Sequence, residues 1–344
     1  MKILVDVLHP AHVHFFRHFI TDVESQGHDV RVTARDKEMT LELLDRLGIP
    51  ARVLSSRRSG VIGLGSELVT RTARLIREAR RSRPDVMVGI MGPSIAPAGR
   101  LLRIPSVVFY DTENAGRTNR WVYPMASAVC TPDCYQGPVR GRHHTYAGYH
   151  ELAYLHPNRF TPDPTVPARA GIDSGEPYGI VRFVSWQASH DLGEAGLTLP
   201  QKREIVRAVA RHGRVVISSE APLPDDLESL RVPAELVPSI HHLLAGARAI
   251  VGESATMTSE AAVLGVPAVY LAGRRLGYTD EQENRYGLVR TIRPGDLEEA
   301  LDAVDRAMTM AEADRGTRRS SLLADKIDTT RWVVDFVTNR RWEA

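Results

Sequence analysis

The sequence predicts an α/β protein of two doubly wound domains facing each other across a cleft. Three observations carry this. Short apolar runs alternate with segments of helical periodicity, and such alternation builds parallel sheets because parallel strands need long crossovers. The alternation stops at a polar stretch holding Pro157, Pro162, Pro164, Pro167 and Pro177, then starts afresh at Tyr178. The chain has 344 residues, enough for about two domains at roughly 100–200 residues each. The expected division is 1–160, a linker over 161–177, a second domain over 178–325, and a terminal segment over 326–344.

Lys2 to Val7 reads as a buried opening strand, followed by a loop at His9-Pro10-Ala11-His12. Phe16, Phe19, Ile20 and Val23 give Val13 to Gln26 a helical face, and Gly27 ends it as a C-cap. Strands follow at Asp29 to Ala34 and Ala51 to Leu54, around a helix over Met39 to Leu47 stopped by Gly48. A strongly basic helix spans Leu68 to Ser82; strands at Val86 to Ile90 and Ser106 to Tyr110 flank a helix over Ile95 to Leu102. In the second set, strands are expected at Tyr178 to Val184, Val215 to Ser218, Ala249 to Val251 and Ala268 to Leu271. Helices are expected at Leu199 to His212, His241 to Ala245 and Thr258 to Leu264. Trp332, Val333, Phe336 and Val337 place an apolar stripe on a last helix over Thr329 to Val337, which packs on the second domain or crosses back onto the first.

Lys+Arg is 44 and Asp+Glu is 42, a net charge of +2. That balance gives no support to a chain-wide nucleic-acid binder. Two cysteines, Cys130 and Cys134, do not make a disulfide scaffold, and a structural zinc would need four ligands. The opening residues hold no long apolar run, and no stretch reaches the roughly 18–20 apolar residues of a membrane-spanning helix. A cytoplasmic protein with reduced thiols is expected.

Doubly wound sheets bind ligands beyond the carboxyl ends of their strands. On the first sheet that rim holds His9, His12 and His14, and then Asp111-Thr112-Glu113-Asn114. Imidazoles near neutral pKa and acids are candidates for removing a proton from a hydroxyl. Surface or core-satisfied histidines and a capped helix start are the alternatives. On the second sheet, the strand Ala249 to Val251 runs through Gly252-Glu253 into Ser254-Ala255-Thr256-Met257-Thr258 and a helix. A capped helix start with free N–H groups suits a diphosphate, and Glu260 one turn on could accept ribose hydroxyls. An ordinary capped helix with a solvent-facing Glu has the same pattern. Arg182 is placed to pair with phosphate oxygens. The helix bearing Arg71, Arg74, Arg77, Arg80 and Arg81, with Arg83 after it, is a solvated face or a peripheral contact with anionic lipid on the inner membrane face.

The segment Gly252 through Val269, with Glu260-Ala261-Ala262 and Gly265-Val266-Pro267, resembles the nucleotide-sugar signature of the GT-B superfamily. With Asp6, Pro10 through Phe16, Gly27-His28-Asp29-Val30, Thr33-Ala34-Arg35, Asp111-Thr112-Glu113 and Tyr146 through Leu155, the chain is similar over roughly 1–300 to an uncharacterised prokaryotic GT-B-like family. That family is related to MurG-like glycosyltransferases and UDP-N-acetylglucosamine 2-epimerases. The resemblance implies two Rossmann-like domains, the first for an acceptor and the second for a nucleoside-diphosphate sugar, with no bound cofactor and no catalytic metal. It implies that His12 is the best match for the acceptor base, that Glu113 matches an epimerase acid, and that His190 stabilises the departing diphosphate; Asp111 on the same rim is the other candidate base. It places Arg274, Asp280 and Gln282 on the loop that holds the sugar. Transfer to a saccharide or lipid-linked acceptor is the leading expectation. A UDP-sugar 2-epimerase and a non-catalytic nucleotide-sugar binder are the alternatives. Glu113 favours the epimerase, while Met91-Gly92-Pro93-Ser94, which offers no acid where the epimerases carry one, disfavours it.

Overall fold

A computed structural model describes residues 1–57, 60–113, 116–184 and 196–343, except the side chains of Val61 and Arg117. The chain divides into two compact units, Met1–Arg159 with Ile327–Ala344, and Phe160–Lys326.

The first unit is built from β1 (Lys2–Val7), α1 (Pro10–Ser25), β2 (Asp29–Asp36), α2 (Thr40–Arg46), β3 (Ala51–Ser56), α3 (Gly60–Ser82), β4 (Val86–Ile90), α4 (Ile95–Leu102), β5 (Ser106–Phe109), α5 (Gly116–Val122), β6 (Ala128–Pro132), β7 (His143–Tyr146) and α6 (Leu152–Leu155). Among the described residues the sheet runs β3-β2-β1-β4-β5-β6-β7. All its pairs are parallel. The order reverses between β1 and β4, so the strand ends there open a crevice. Asp6 stands opposite Thr33 on β2 and Gly89 on β4. Phe15, Phe16 and Phe19 of α1 pack with Phe109 of β5 to centre the core.

Two helix starts in this unit differ from the sequence reading by three residues or more. The loop expected at 9–12 is the first turn of α1, because Pro10 at its start has no N–H to lose and His9 caps it. The basic helix begins at Gly60 rather than Leu68, its glycine-rich first turns having hidden it. The strands β6 and β7 carry too little alternation to be read: β7 is His-His-Thr-Tyr with only Tyr146 buried.

The terminal helix Thr329–Thr338 belongs to the first unit. Thr329 and Thr330 donate hydroxyls to the carbonyls of Tyr149 and Ala153 at 2.8 and 2.7 Å. A Cβ at Gly148 would lie 2.7 Å from the Thr329 hydroxyl, so this approach needs glycine. Trp332 and Phe336 stack at 4.9 Å.

The second unit holds α7 (Val166–Arg169), β8 (Tyr178–Phe183), α8 (Leu199–Ala210), β9 (Arg214–Ser219), α9 (Asp225–Glu228), α10 (Ile240–Gly246), β10 (Ala249–Gly252), α11 (Ala255–Leu264), β11 (Ala268–Leu271), α12 (Gly277–Asn284), β12 (Val289–Ile292), α13 (Leu297–Thr309) and α14 (Glu312–Asp325). Its parallel sheet runs β12-β11-β10-β8-β9. Val181, Phe183, Ile217, Val251 and Leu271 from the strands meet Ile205, Val209 and Val304 from the helices in one core. The stretch 161–177, expected as a linker, folds onto this unit. The Asp163 N–H donates to Nδ1 of His242 at 2.9 Å, and the Phe160 and His242 rings lie 4.8 Å apart. Among the described residues, no helix is long and apolar enough to cross a membrane.

Candidate functional site

At the strand-end rim of the first sheet, β1 delivers the chain into α1 through three histidines. Nδ1 of His9 accepts the Ala11 N–H at 3.2 Å, capping the helix, and its Nε2 lies 3.5 Å from Glu38. Nδ1 of His12 accepts the Leu8 N–H at 3.2 Å. Burial, helped by the neighbouring imidazoles of His9 and His150 and by Lys37 and Arg71, holds the His12 pKa well below the usual value. His12 is therefore neutral with its proton on Nε2, where it can donate but cannot accept. The His14 ring packs on Tyr154 at 5.3 Å.

Asp111 follows β5 and finds a different histidine. Its Oδ2 lies 3.1 Å from Nδ1 of His150, and its Oδ1 accepts the Thr112 hydroxyl at 2.8 Å. Burial pushes the Asp111 pKa up, but the neighbouring His150 and its hydrogen bond outweigh this, and the net shift is downward. A carboxylate on Nδ1 fixes the proton there and leaves the lone pair on Nε2. Nε2 of His150 is shielded from solvent and has no hydrogen-bond partner. The ring packs on Phe15 at 4.5 Å. Glu113 accepts the Gln136 N–H at 3.0 Å, which ties the rim to the segment after β6.

Under the same strand ends, Arg71 of α3 donates to Asp6 Oδ1 at 2.6 Å, and Thr33 donates to the same oxygen at 2.6 Å. Both charged side chains are 3% exposed. The basic helix is thus split. Arg71 is interior, while Arg74, which also donates to the Leu54 carbonyl at 2.6 Å, Arg77, Arg80 and Arg81 are exposed.

In the second unit, β10 ends at Gly252, where a Cβ would sit 2.2 Å from the Arg182 carbonyl oxygen. Ser254 caps α11 by accepting the Met257 N–H at 3.3 Å. Ser254, Ala255 and Thr256 are half-buried at the helix start, and Met257 is buried. Glu260 points inward, its Oε1 2.9 Å from Nε2 of His241 on α10, with both side chains buried. This removes the alternative of an ordinary capped helix with a solvent-facing Glu. Arg182 donates to Ser218 at 2.9 Å and to Glu220 at 2.5 Å, so β9 holds its guanidinium. Arg274 is exposed, and Asp280 pairs with Arg275 at 2.6 Å. Gln282 is not on the surface: it is fully buried and donates to Ser259 at 2.7 Å, joining α12 to α11. His190 lies outside the described residues.

Three side chains emerge from the structure that sequence reasoning left without a role. His150 lies in the Tyr146 through Leu155 motif, but its partnership with Asp111 depends on the unread strand β7. His241 sat in a short helix whose only visible feature was Leu243-Leu244. Glu253 accepts the N–H groups of Val184, just after β8, and Leu197, just before α8, at 3.2 and 2.8 Å.

The spinosyn forosaminyltransferase SpnP superposes with a TM-score of 0.67 over 99% of this chain and 98% of its own, at 15% identity. The UDP-GlcNAc 2-epimerase from Neisseria meningitidis bound to UDP-GlcNAc gives 0.68 over 98% and 100%, at 11% identity. The chain has the GT-B fold. The glycosyltransferase VinC in complex with DTDP matches this GT-B chain at 0.64 over 98% and 99%, with 15% identity. Residues 1–137 match the family described as "Protein of unknown function (DUF354)". No curated protein matches the sequence. Transferases and epimerases thus share the GT-B architecture with this chain about equally, and the fold alone does not choose a reaction.

Proposed function

We propose that this GT-B protein is a glycosyltransferase. It moves a sugar from a nucleoside-diphosphate sugar to a hydroxyl of a saccharide or lipid-linked acceptor, without a bound metal. The observation that carries the reading is the Asp111–His150 pair on the rim of the first sheet. Binding a nucleotide sugar needs no base; transferring its sugar to a hydroxyl does. Asp111 orients His150 so that Nε2 can take the hydroxyl proton while the acceptor oxygen attacks the anomeric carbon and the bond to the diphosphate breaks. A buried acceptor atom without a partner costs about 1–3 kcal/mol, which an incoming hydroxyl would offset. The base is therefore His150 rather than His12, whose Nε2–H instead donates to the acceptor oxygen. Glu113 flanks this position on the same loop as Asp111.

The donor reading rests on the second unit. The start of α11, with Ser254, Ala255, Thr256 and Met257, takes the diphosphate at the positive end of the helix. Glu260, with one oxygen held by His241, takes ribose hydroxyls. Arg274 supplies positive charge for the leaving group, with Asp280 beside it; Gln282 acts only by bracing α11. Transfer is preferred to 2-epimerisation because the loop Met91-Gly92-Pro93-Ser94 after β4 holds no acid.

The test is release of nucleoside diphosphate from a panel of UDP-, dTDP- and GDP-sugars, with water standing in for the acceptor. His150→Gln is expected to lower release by about 10²–10⁴-fold while nucleotide affinity stays as in the parent protein. A His150→Gln protein that releases diphosphate at the parental rate overturns the assignment of the base. Absence of release and of binding across the panel overturns the reaction.

A further inference from the structure

The outward face of α3 and α4 is free of negative charge. α3 has two acids, and both turn inward. Glu67 is buried and takes two bonds from Arg35 at 2.6 Å, and Glu78 is buried against Arg31 and Arg52. α4 has none. The large side chains that α3 gives to solvent include Ile62, 89% exposed, and Val69, 71% exposed, followed by Arg74, Arg77, Arg80 and Arg81. At 100° per residue Ile62, Val69 and Arg80 lie within about 20° of one line, along about 27 Å of helix. α4 adds exposed Arg100 and Leu101, the latter 63% exposed. Ile62, Val69 and Leu101 are the most exposed large apolar side chains among the described residues.

We infer that this face docks on an anionic lipid bilayer. Apolar residues at one end of a stripe and arginines at the other match the acyl boundary and the charged headgroups of a membrane surface. A nucleic acid would reward the arginines and leave Ile62 and Val69 wet. α3 begins where β3 ends, so its apolar half lies at the same end of the unit as His12 and Asp111. Insertion there brings the rim to the level of the headgroups, where a lipid-borne hydroxyl would be presented. The docking surface stands on exposure and charge, and does not depend on the transfer reading.

The experiment is co-sedimentation of the full chain with vesicles of phosphatidylcholine, with and without phosphatidylglycerol. Binding is expected only with phosphatidylglycerol. An interfacial arginine contributes about fivefold in affinity, so Arg77→Glu/Arg80→Glu/Arg81→Glu should weaken binding by about 100-fold or more. Ile62→Ser/Val69→Ser should leave a residual binding that disappears between about 0.1 M and about 0.5 M salt, as screened electrostatics must. A charge-matched control, Arg203→Glu/Arg207→Glu/Arg211→Glu on and just after α8, should bind like the parent. Equal melting temperatures of the α3 variants and parent exclude misfolding. No phosphatidylglycerol-dependent sedimentation, an equal loss in the α8 control, or duplex RNA binding that ignores Ile62→Ser/Val69→Ser each overturns the proposal.

Discussion

The donor site can be tested through stability before any acceptor is known. A ligand that binds only the folded state stabilises it by RT ln(1 + [L]/Kd), about 2.7 kcal/mol at a hundredfold excess over Kd. For a unit the size of Phe160–Lys326, each kcal/mol moves the melting point by about 2–4 °C. The correct nucleoside-diphosphate sugar should therefore raise it by about 5–11 °C. Glu260→Ala removes charge-assisted bonds of about 1.5–3 kcal/mol, which weakens binding by about 10–150-fold. A hundredfold weakening leaves about 0.4 kcal/mol at the same ligand concentration, a shift near 1 °C. The apo variant should itself melt lower, because His241 loses the carboxylate 2.9 Å from its Nε2 in a buried place. The quantity to compare is therefore the ligand-induced difference, measured by scanning calorimetry on each protein. A Glu260→Ala protein with the full parental shift would refute the placing of the nucleotide at α11. A parent protein unmoved by every UDP-, dTDP- and GDP-sugar would refute the donor reading altogether.

Other outcomes follow from the same geometry. Arg71→Met strips the partner from Asp6 in a site where both are 3% exposed, and should cost about 3–5 kcal/mol in urea unfolding; a loss below 1 kcal/mol would mean the pair is solvated in practice. Gly252→Ala places a Cβ 2.2 Å from the Arg182 carbonyl oxygen, forcing β10 and β8 apart, and a loss of about 1–3 kcal/mol is expected in the same assay. Stability should fall as pH drops below 6.5, since burial holds the His12 pKa well below that value and burial with Arg17 and Arg159 holds His18 at about 4. The unfolded chain then binds protons that the folded chain refuses, so stability is full above 6.5 and is lost as pH falls. His18→Gln should flatten that fall, and an unchanged pH slope would count against the buried-imidazole account.

The architecture was legible because its signals are local. Buried strands such as Ile3–Val7 and Val86–Ile90 announce themselves as apolar runs, and Gly27 and Gly265 mark helix ends by the left-handed turn they take. The unread strand β7 shows the limit: His143-His144-Thr145 carries no apolar pattern, and only pairing with β6 makes it a strand. The site was legible as a rim and not as chemistry. Which residues stand near the strand ends follows from topology, and His12, Asp111 and the Ser254 turn are there. What each can do follows from partners distant in sequence. His12 and His150 are the same residue type on the same rim, separated in function by one contact each. A backbone N–H on Nδ1 makes the first a donor at Nε2, and a carboxylate on Nδ1 makes the second an acceptor there. The same holds for arginine: Arg71 and Arg80 lie on opposite sides of the α3 wheel, and the wheel does not show that Asp6 stands behind α3 to make Arg71 one half of an interior ion pair while Arg80 stays a surface charge. Roles of this kind reside in pairs, and a single sequence displays only the members.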